Sequence, residues 1–92
     1  MRMVYVVMGE TGEYSDHCDW PVLAFDTEEM AQTFVTNAEK WLREHDLWRR
    51  SGYIDIDYDQ QEALLRSCPF DPDVKTDYTG TRYLVMPVKF AE

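Results

Sequence analysis

The chain has 92 residues, of which 45% are hydrophobic and 14% aromatic, so we expect a single compact domain spanning residues 1–92. Eighteen acidic residues against nine basic ones give a net charge of −9. This charge argues against direct binding to nucleic acid or to an anionic membrane, because both recruit Lys and Arg. A basic protein partner fits the charge, and so does solubility alone.

Two features of the sequence bear on the cellular setting. No apolar stretch is long enough to span a bilayer, and the first residues, MRMVYVVMGE, have the pattern of a strand rather than of a signal peptide. Cys18 and Cys68 are too few for a disulfide framework. We therefore expect a reducing, cytoplasmic setting.

Three stretches are predicted strands. Residues 3–8, MVYVVM, are continuously apolar, which indicates a central strand covered on both faces, or one with a lightly covered face. Residues 20–25 and 82–90 each contain a proline, Pro21 and Pro87, which cannot donate to a β-ladder and favours an edge position or a bulge. The polar loop 9–19 would join the first two strands into a hairpin.

Residues 26–45 are predicted to form the one long helix. Asp26 can cap its first turn, and Glu29 has the spacing that completes a capping box. Charged and polar residues occupy the other side. The apolar stripe with a 3.6-residue period consists of Met30, Ala31, Phe34, Val35, Ala38, Trp41, Leu42 and His45.

The middle of the chain allows more than one structure. Residues 53–59, YIDIDYD, alternate as in a short edge strand, whereas Asp59 and Glu62 have capping-box spacing for a helix over 59–67. Strand, loop and helix all remain open here, and we favour a loop or short strand leading into a short helix. Before this segment, residues 46–52 are predicted to end the long helix. After it, Pro69 and Pro72 enclose a turn-rich segment.

These elements predict an α+β fold with the order ββα(α)β. The helix crosses back over a small antiparallel sheet and brings the last strand beside the first, so the strand order is second, first, third. The proline-free strand then occupies the centre, in agreement with the edge positions of the other two. The predicted core includes Val4, Val6, Phe34, Val35, Trp41, Leu84 and Met86.

Patterns typical of metal sites and enzymes are incomplete. An EF-hand loop that starts at Asp55, with Asp57 and Asp59, would need a glycine and a carboxylate where this chain has Gln60 and Arg66. The two cysteines and two histidines lack CxxC spacing, and the glycines of GETG lack the rest of a phosphate-binding motif. We predict no cofactor, no metal site and no enzymatic activity.

The strongest local charge signal is an acidic segment with tyrosines between residues 53 and 78. Only Arg66 and Lys75 offset its carboxylates. We predict that it either contacts a basic partner, with a tyrosine as anchor, or forms a solvated face. The candidate partner-binding residues are Tyr53, Asp55, Asp57, Tyr58, Asp59, Glu62, Asp71, Asp73, Asp77 and Tyr78.

Two stretches resemble small proteins encoded by tailed bacteriophages and prophages. Residues 4–25, VYVVMGETGEYSDHCDWPVLAF, carry GEYSD followed by Trp20, and residues 71–88, DPDVKTDYTGTRYLVMPV, carry DYTGT-x-Y. The resemblance transfers no catalytic residue. It implies a phage setting and hence the cytoplasm of an infected bacterium.

Small acidic phage proteins without enzyme motifs often bind and block a host machine, as anti-CRISPR and anti-restriction proteins do. Their nucleic-acid-handling targets present basic grooves that an acidic surface can fill. We therefore expect an anti-CRISPR-like inhibitor of a host defence complex. The alternative is a phage accessory or structural interaction module without an inhibitory role.

Overall fold

A computed structural model describes residues 2–45, 47, 58–76 and 79–91, with the backbone alone at 16, 58 and 59. Three antiparallel strands form one sheet in the order β2-β1-β3, which confirms the predicted α+β topology. The predicted second helix is present, while the predicted strand over 53–59 falls largely outside the described residues. The elements are β1 (Arg2–Thr11), a 3-10 turn (Tyr14–Asp16), β2 (Cys18–Phe25), α1 (Glu28–Glu44), α2 (Tyr58–Arg66) and β3 (Thr81–Phe90).

Both prolines that occur in strands lie on the outer strands of the sheet, as predicted. Pro87 is in β3 and Pro21 is in β2, while β1 between them has none. The register of β2 shifts beside Pro21, because Val7 faces Leu23 and Met8 faces Pro21, which leaves Val22 as an extra residue. An outer strand tolerates both the missing N–H and the bulge, since one of its sides needs no partner.

Helix α1 begins one residue later than the predicted cap implies. Thr27 is the N-cap, and its Oγ1 accepts a hydrogen bond from the Met30 backbone N at 3.2 Å. The capping box of Asp26 and Glu29 is therefore wrong, because the extended chain leaving β2 needs one more residue to turn. Asp26 instead lies 3.7 Å from Arg2 in an exposed ion pair.

The buried stripe of α1 is narrower than predicted. Its fully covered residues are Ala31, Val35, Ala38 and Leu42. Phe34 and Trp41 are half-buried at its margins, and Met30 is 53% exposed. His45 is also exposed, with its ring stacked on Trp41 at 4.2 Å between centroids. A helix on an open three-stranded sheet covers a strip about one helix wide, so residues at the edge of the stripe stay partly in water.

The sheet buries one face and leaves the other open. Val7, Gly9 and Thr11 of β1 are buried on the side of α1, together with Thr81 and Tyr83 of β3. The alternate residues point away from α1 and stay partly or largely exposed. We call this side the open sheet face; its residues are Val4, Val6 and Met8 of β1 and Leu84, Met86, Val88 and Phe90 of β3.

The predicted core is therefore wrong at Leu84 and Met86, which are 36% and 45% exposed. Val4 and Val6 were also predicted as core residues, but they are only half-buried. Both strands are apolar at nearly every position, so their sequences do not distinguish the two faces, and a step of one residue exchanges them. The lightly covered central strand was one of the two predicted alternatives. The core contains Val7, Trp20, Ala31, Val35, Ala38, Leu42, Leu47, Leu65, Cys68, Val74 and Tyr83.

Candidate functional site

The structure describes only part of the predicted acidic surface. Glu62 is exposed on α2, with its Oε1 3.5 Å from Arg66 Nε one turn later. Asp73 is exposed in the turn that follows Asp71. The candidates that lie outside the described residues, or whose side chains do, are Tyr53, Asp55, Asp57, Tyr58, Asp59, Asp77 and Tyr78.

Asp71, also predicted to contact a partner, lies inside the fold. It is 3% exposed, and its Oδ2 accepts hydrogen bonds from Trp20 Nε1 and from the Tyr83 hydroxyl, both at 2.9 Å. Burial, and then the Asp71 carboxylate, raise the pKa of Tyr83 well above its ordinary value of 10.0. Asp71 thus stabilises the fold, because a buried carboxylate needs such donors.

The same hydrogen bonds position the segment that follows α2. Asp71 ties this segment to β2 through Trp20 and to β3 through Tyr83, and Arg66 donates a hydrogen bond to the Val74 carbonyl. The residue before Asp71 is Phe70, whose ring is thereby held against the side of α1. Asp71 is a positioning residue for the site described next.

An aromatic groove runs between α1 and this segment. The Phe34 ring lies between those of Phe25 and Phe70, with centroid distances of 5.4 and 5.8 Å. The groove has a volume of about 360 Å³. Its lining is mainly apolar with a polar rim and consists of Phe25, Glu29, Met30, Thr33, Phe34, Asn37 and Phe70.

The groove continues along α1 into a second depression of about 240 Å³, which shares Asn37 and Phe70 and adds Lys40, Trp41 and Glu44. Lys40 and Glu44 are 3.8 Å apart and balance each other's charge at that end. At the other end, the rim presents the Glu29 carboxylate beside an aromatic floor, with no salt-bridge partner among the residues that the structure describes.

The groove suits a side chain with an apolar stem and a positive head. Aromatic rings pack against the methylene groups of Lys or Arg and attract the cation, while an exposed carboxylate can receive its donors. Concave apolar sites with a few polar groups are the usual form of binding pockets. Sequence reasoning missed this site, because Phe70 lies far from Phe34 along the chain, in the segment after α2. The only local signal was an aromatic residue, Phe70, in a turn between two prolines.

Other features of the described ranges are poorer candidates for a site. No three His, Cys, Asp or Glu side chains among these residues are grouped so that they could hold a metal ion. Both cysteines are free, Cys18 half-buried and Cys68 buried. No helix in the same ranges combines the length and the apolarity required for a membrane crossing. Within these ranges the aromatic groove is the feature best suited to binding.

Comparison of the chain with protein families, with curated proteins and with solved structures found no match.

Proposed function

We propose that this protein is a non-enzymatic inhibitor, encoded by a phage, that acts in the host cytoplasm by binding a basic surface of a host nucleic-acid-handling complex, in the manner of an anti-CRISPR protein. The observation that carries the proposal is the aromatic groove with Glu29 at its rim, on a chain with a net charge of −9. An aromatic cleft beside a carboxylate is complementary to an exposed Arg or Lys of the partner.

The proposal assigns different tasks to the groove and to the remaining acidic residues. Affinity in protein interfaces is concentrated in a few residues that fill well-packed pockets, which is the task of the groove. Distributed charge mainly accelerates association, which is the task of the other predicted acidic residues. We assign this steering to Asp55, Asp57, Asp59, Glu62, Asp73 and Asp77. Asp71 is excluded because it is buried and already accepts two hydrogen bonds.

The first experiment is capture of partners from phage-infected cells with a tagged chain. We expect a host defence complex to be recovered, with a basic subunit in direct contact. Recovery of phage assembly or replication proteins instead would contradict inhibition and support the accessory module.

A matched pair of variants locates the contact. Glu28 and Glu29 are neighbours in the first turn of α1, both exposed, but only Glu29 lines the groove. Replacing either by Lys changes the helix dipole interaction in a similar way. We expect Glu29→Lys to weaken binding of the captured partner by at least about tenfold and Glu28→Lys by much less. Equal loss in both variants would show that the groove is not the contact.

A further inference from the structure

The open sheet face is apolar where a solvated sheet is normally polar. An antiparallel sheet with one face in water usually alternates apolar and polar residues. Here the outward positions from Val4 to Met8 and from Leu84 to Phe90 hold no polar residue. Met86, Val88 and Phe90 are 45%, 39% and 43% exposed. This contiguous apolar surface is therefore a candidate for association with another apolar surface.

We propose that the open sheet face binds the same face of a second copy of this chain, so that two sheets pack face to face in a two-fold symmetric dimer. The exposed apolar area of the face is roughly 400–500 Å², comparable to the largest patch on a typical monomer. Two such faces with their polar rims bury about 1,200 Å², the lower limit for specific interfaces. We therefore expect a reversible dimer with micromolar affinity.

The charges on the face determine which orientation is favourable. Arg2 lies at one end of β1, with its guanidinium 4.7 Å from the centre of the Phe90 ring. Glu10 lies at the other end, where it pairs with Arg82 at 3.1 Å and has the exposed Asp19 of β2 beside it in the register. With strands parallel across the interface, Arg2 would face Arg2 and Glu10 would face Glu10. With strands antiparallel, Arg2 faces Glu10 of the second copy, so opposite charges meet at both ends.

The net charge of −9 does not prevent this association. The acidic residues of α1, such as Glu28 and Glu29, lie on the far side of the sheet from the interface. Charges of the two copies on these outer layers are separated by two sheets and about 30 Å, well beyond the Debye length of about 8 Å at physiological salt. Repulsion between them is largely screened.

Association of two copies through the edges of their sheets is less favourable than association through the open sheet faces. Both outer strands contain a proline, Pro21 in β2 and Pro87 in β3, and β2 also has a bulge. These features interrupt the row of hydrogen-bonding groups that a neighbouring strand would need. Edge pairing would in addition leave the apolar face in water. Face-to-face packing leaves both aromatic grooves on the outside.

The test is sedimentation of the purified chain alone across a range of concentration up to about 100 μM. We expect wild type to approach twice the 10.9 kDa mass of one chain. Met86→Glu should weaken the dimer at least about 100-fold, because symmetry buries the new charge twice. The control is Leu64→Glu, a charge placed on a similarly exposed apolar residue of α2, 43% against 45% for Met86, which should dimerise as wild type does. Circular dichroism verifies folding, and Val88→Glu replaces Met86→Glu if that variant unfolds.

Orientation is tested by mixing. Met86 lies near the middle of β3, so antiparallel packing places it opposite Met86 of the second copy. Met86→Glu and Met86→Lys should each be monomeric, and their mixture should recover dimer.

A monomeric wild type, a Met86→Glu variant that dimerises normally, or a mixture that stays monomeric would each overturn the proposal. If isolated wild type is monomeric but Met86→Glu abolishes capture of another protein, the face serves that protein and self-binding is overturned. The sedimentation outcomes do not depend on the proposed inhibitor function, because no partner is present in those experiments.

Discussion

Gly9 and Trp20 illustrate how a single residue sets the packing of β1 on β2. The two residues are partners in the register, and the Trp20 indole lies over the Gly9 backbone. A Cβ at Gly9 would lie 2.5 Å from Cε2 and Cζ2 of Trp20. The indole cannot move aside easily, because it is buried and its Nε1 donates to Asp71. The glycine thus makes room for the hydrogen bond that positions Phe70.

Gly9→Ala should lower the free energy of unfolding by about 1–3 kcal/mol, as overpacked sites do. Urea denaturation measures it. The control is the same change in a Trp20→Leu background, where the clash is absent and Gly9→Ala should be close to neutral. A similar loss in both backgrounds would show that the strand conformation, rather than the indole, requires glycine.

Glu10 is a residue whose pKa in the folded state makes stability depend on pH. The hydrogen bond from Arg82 holds the pKa of the Glu10 carboxyl below its ordinary value of 4.5, and His17, with its Nε2 3.3 Å away, acts in the same direction. A lowered pKa in the folded state stabilises the protein above the unfolded pKa, and this contribution disappears as pH falls through the folded value.

We therefore expect wild type to lose part of its stability between about pH 4.5 and the lower folded pKa of Glu10. Glu10→Gln should be less stable than wild type at pH 7 and should lose less on acidification. Urea denaturation at a series of pH values measures the slope. Parallel slopes for the two proteins would exclude Glu10 as the source.

At the scale of elements, the helix and the sheet meet through one narrow stripe and one face. Ala31 and Ala38 allow α1 to approach the sheet closely, while Val35 and Leu42 fill the space between them. The start of the helix depends on Thr27 rather than on the residue before it. Thr27 can therefore be compared with Asp26, and Val7 with Val6, because the members of each pair are neighbours with different environments.

Thr27→Ala should lower the free energy of unfolding by about 1 kcal/mol, the usual effect of losing an N-cap side chain. Asp26→Ala should lower it by less than about 0.5 kcal/mol, because it removes only an exposed ion pair with Arg2. Thermal or urea denaturation distinguishes the two. A larger loss of stability for Asp26→Ala than for Thr27→Ala would mean that Asp26 is the N-cap, as the sequence pattern predicts.

Val6 and Val7 compare the two faces of β1. Val7 is fully buried under α1, whereas Val6 is half-buried on the open sheet face. Val7→Ala should lower the free energy of unfolding by about 2 kcal/mol or more and Val6→Ala by less than about 1 kcal/mol, measured at a concentration where the chain is monomeric. Both changes remove the same atoms from the same strand. Equal losses would mean that the open sheet face is covered within one chain.

At the scale of the whole molecule, the charge is unevenly distributed. The excess of acidic residues comes mainly from the acidic segment and from residues 10–19, which hold four carboxylates and no Lys or Arg, while α1 contributes less. This distribution allows one surface to associate with a like-charged copy and another to attract a basic partner.

The acidic segment leads to a kinetic prediction for the proposed partner. Changing Asp55, Asp57 and Asp59 together to Asn should slow association at low ionic strength, with the two rates converging near 1 M salt, where the Debye length is about 3 Å. Stopped-flow mixing with the captured partner measures both rates. If wild type and the variant fold equally well and associate at the same rate at every salt concentration, the acidic segment does not steer binding.

The candidate site could be predicted only in part. Acidic character is a property of composition, so the expectation of a basic partner needed no structure. Asp71 was misplaced because its hydrogen-bond donors, Trp20 and Tyr83, lie 51 and 12 residues away, and nothing in the local pattern of DPDV distinguishes a buried carboxylate from an exposed one. The aromatic groove combines Phe25, Phe34 and Phe70 from three separate elements, so no single stretch contains it.

The sequence by itself determined the three strands, α1 and their order, but it left strand, loop and helix open for the segment that contains α2. The 3.6-residue period identified α1, and the prolines placed β2 and β3 outside β1, because both signals depend on local backbone geometry and hydrogen bonding. Tertiary structure decided which face of the sheet α1 covers. Strands that are apolar on both sides carry no alternation, so the choice between Val6 and Val7 depends on how the bulge, the Gly9–Trp20 contact and the close approach of α1 fit together.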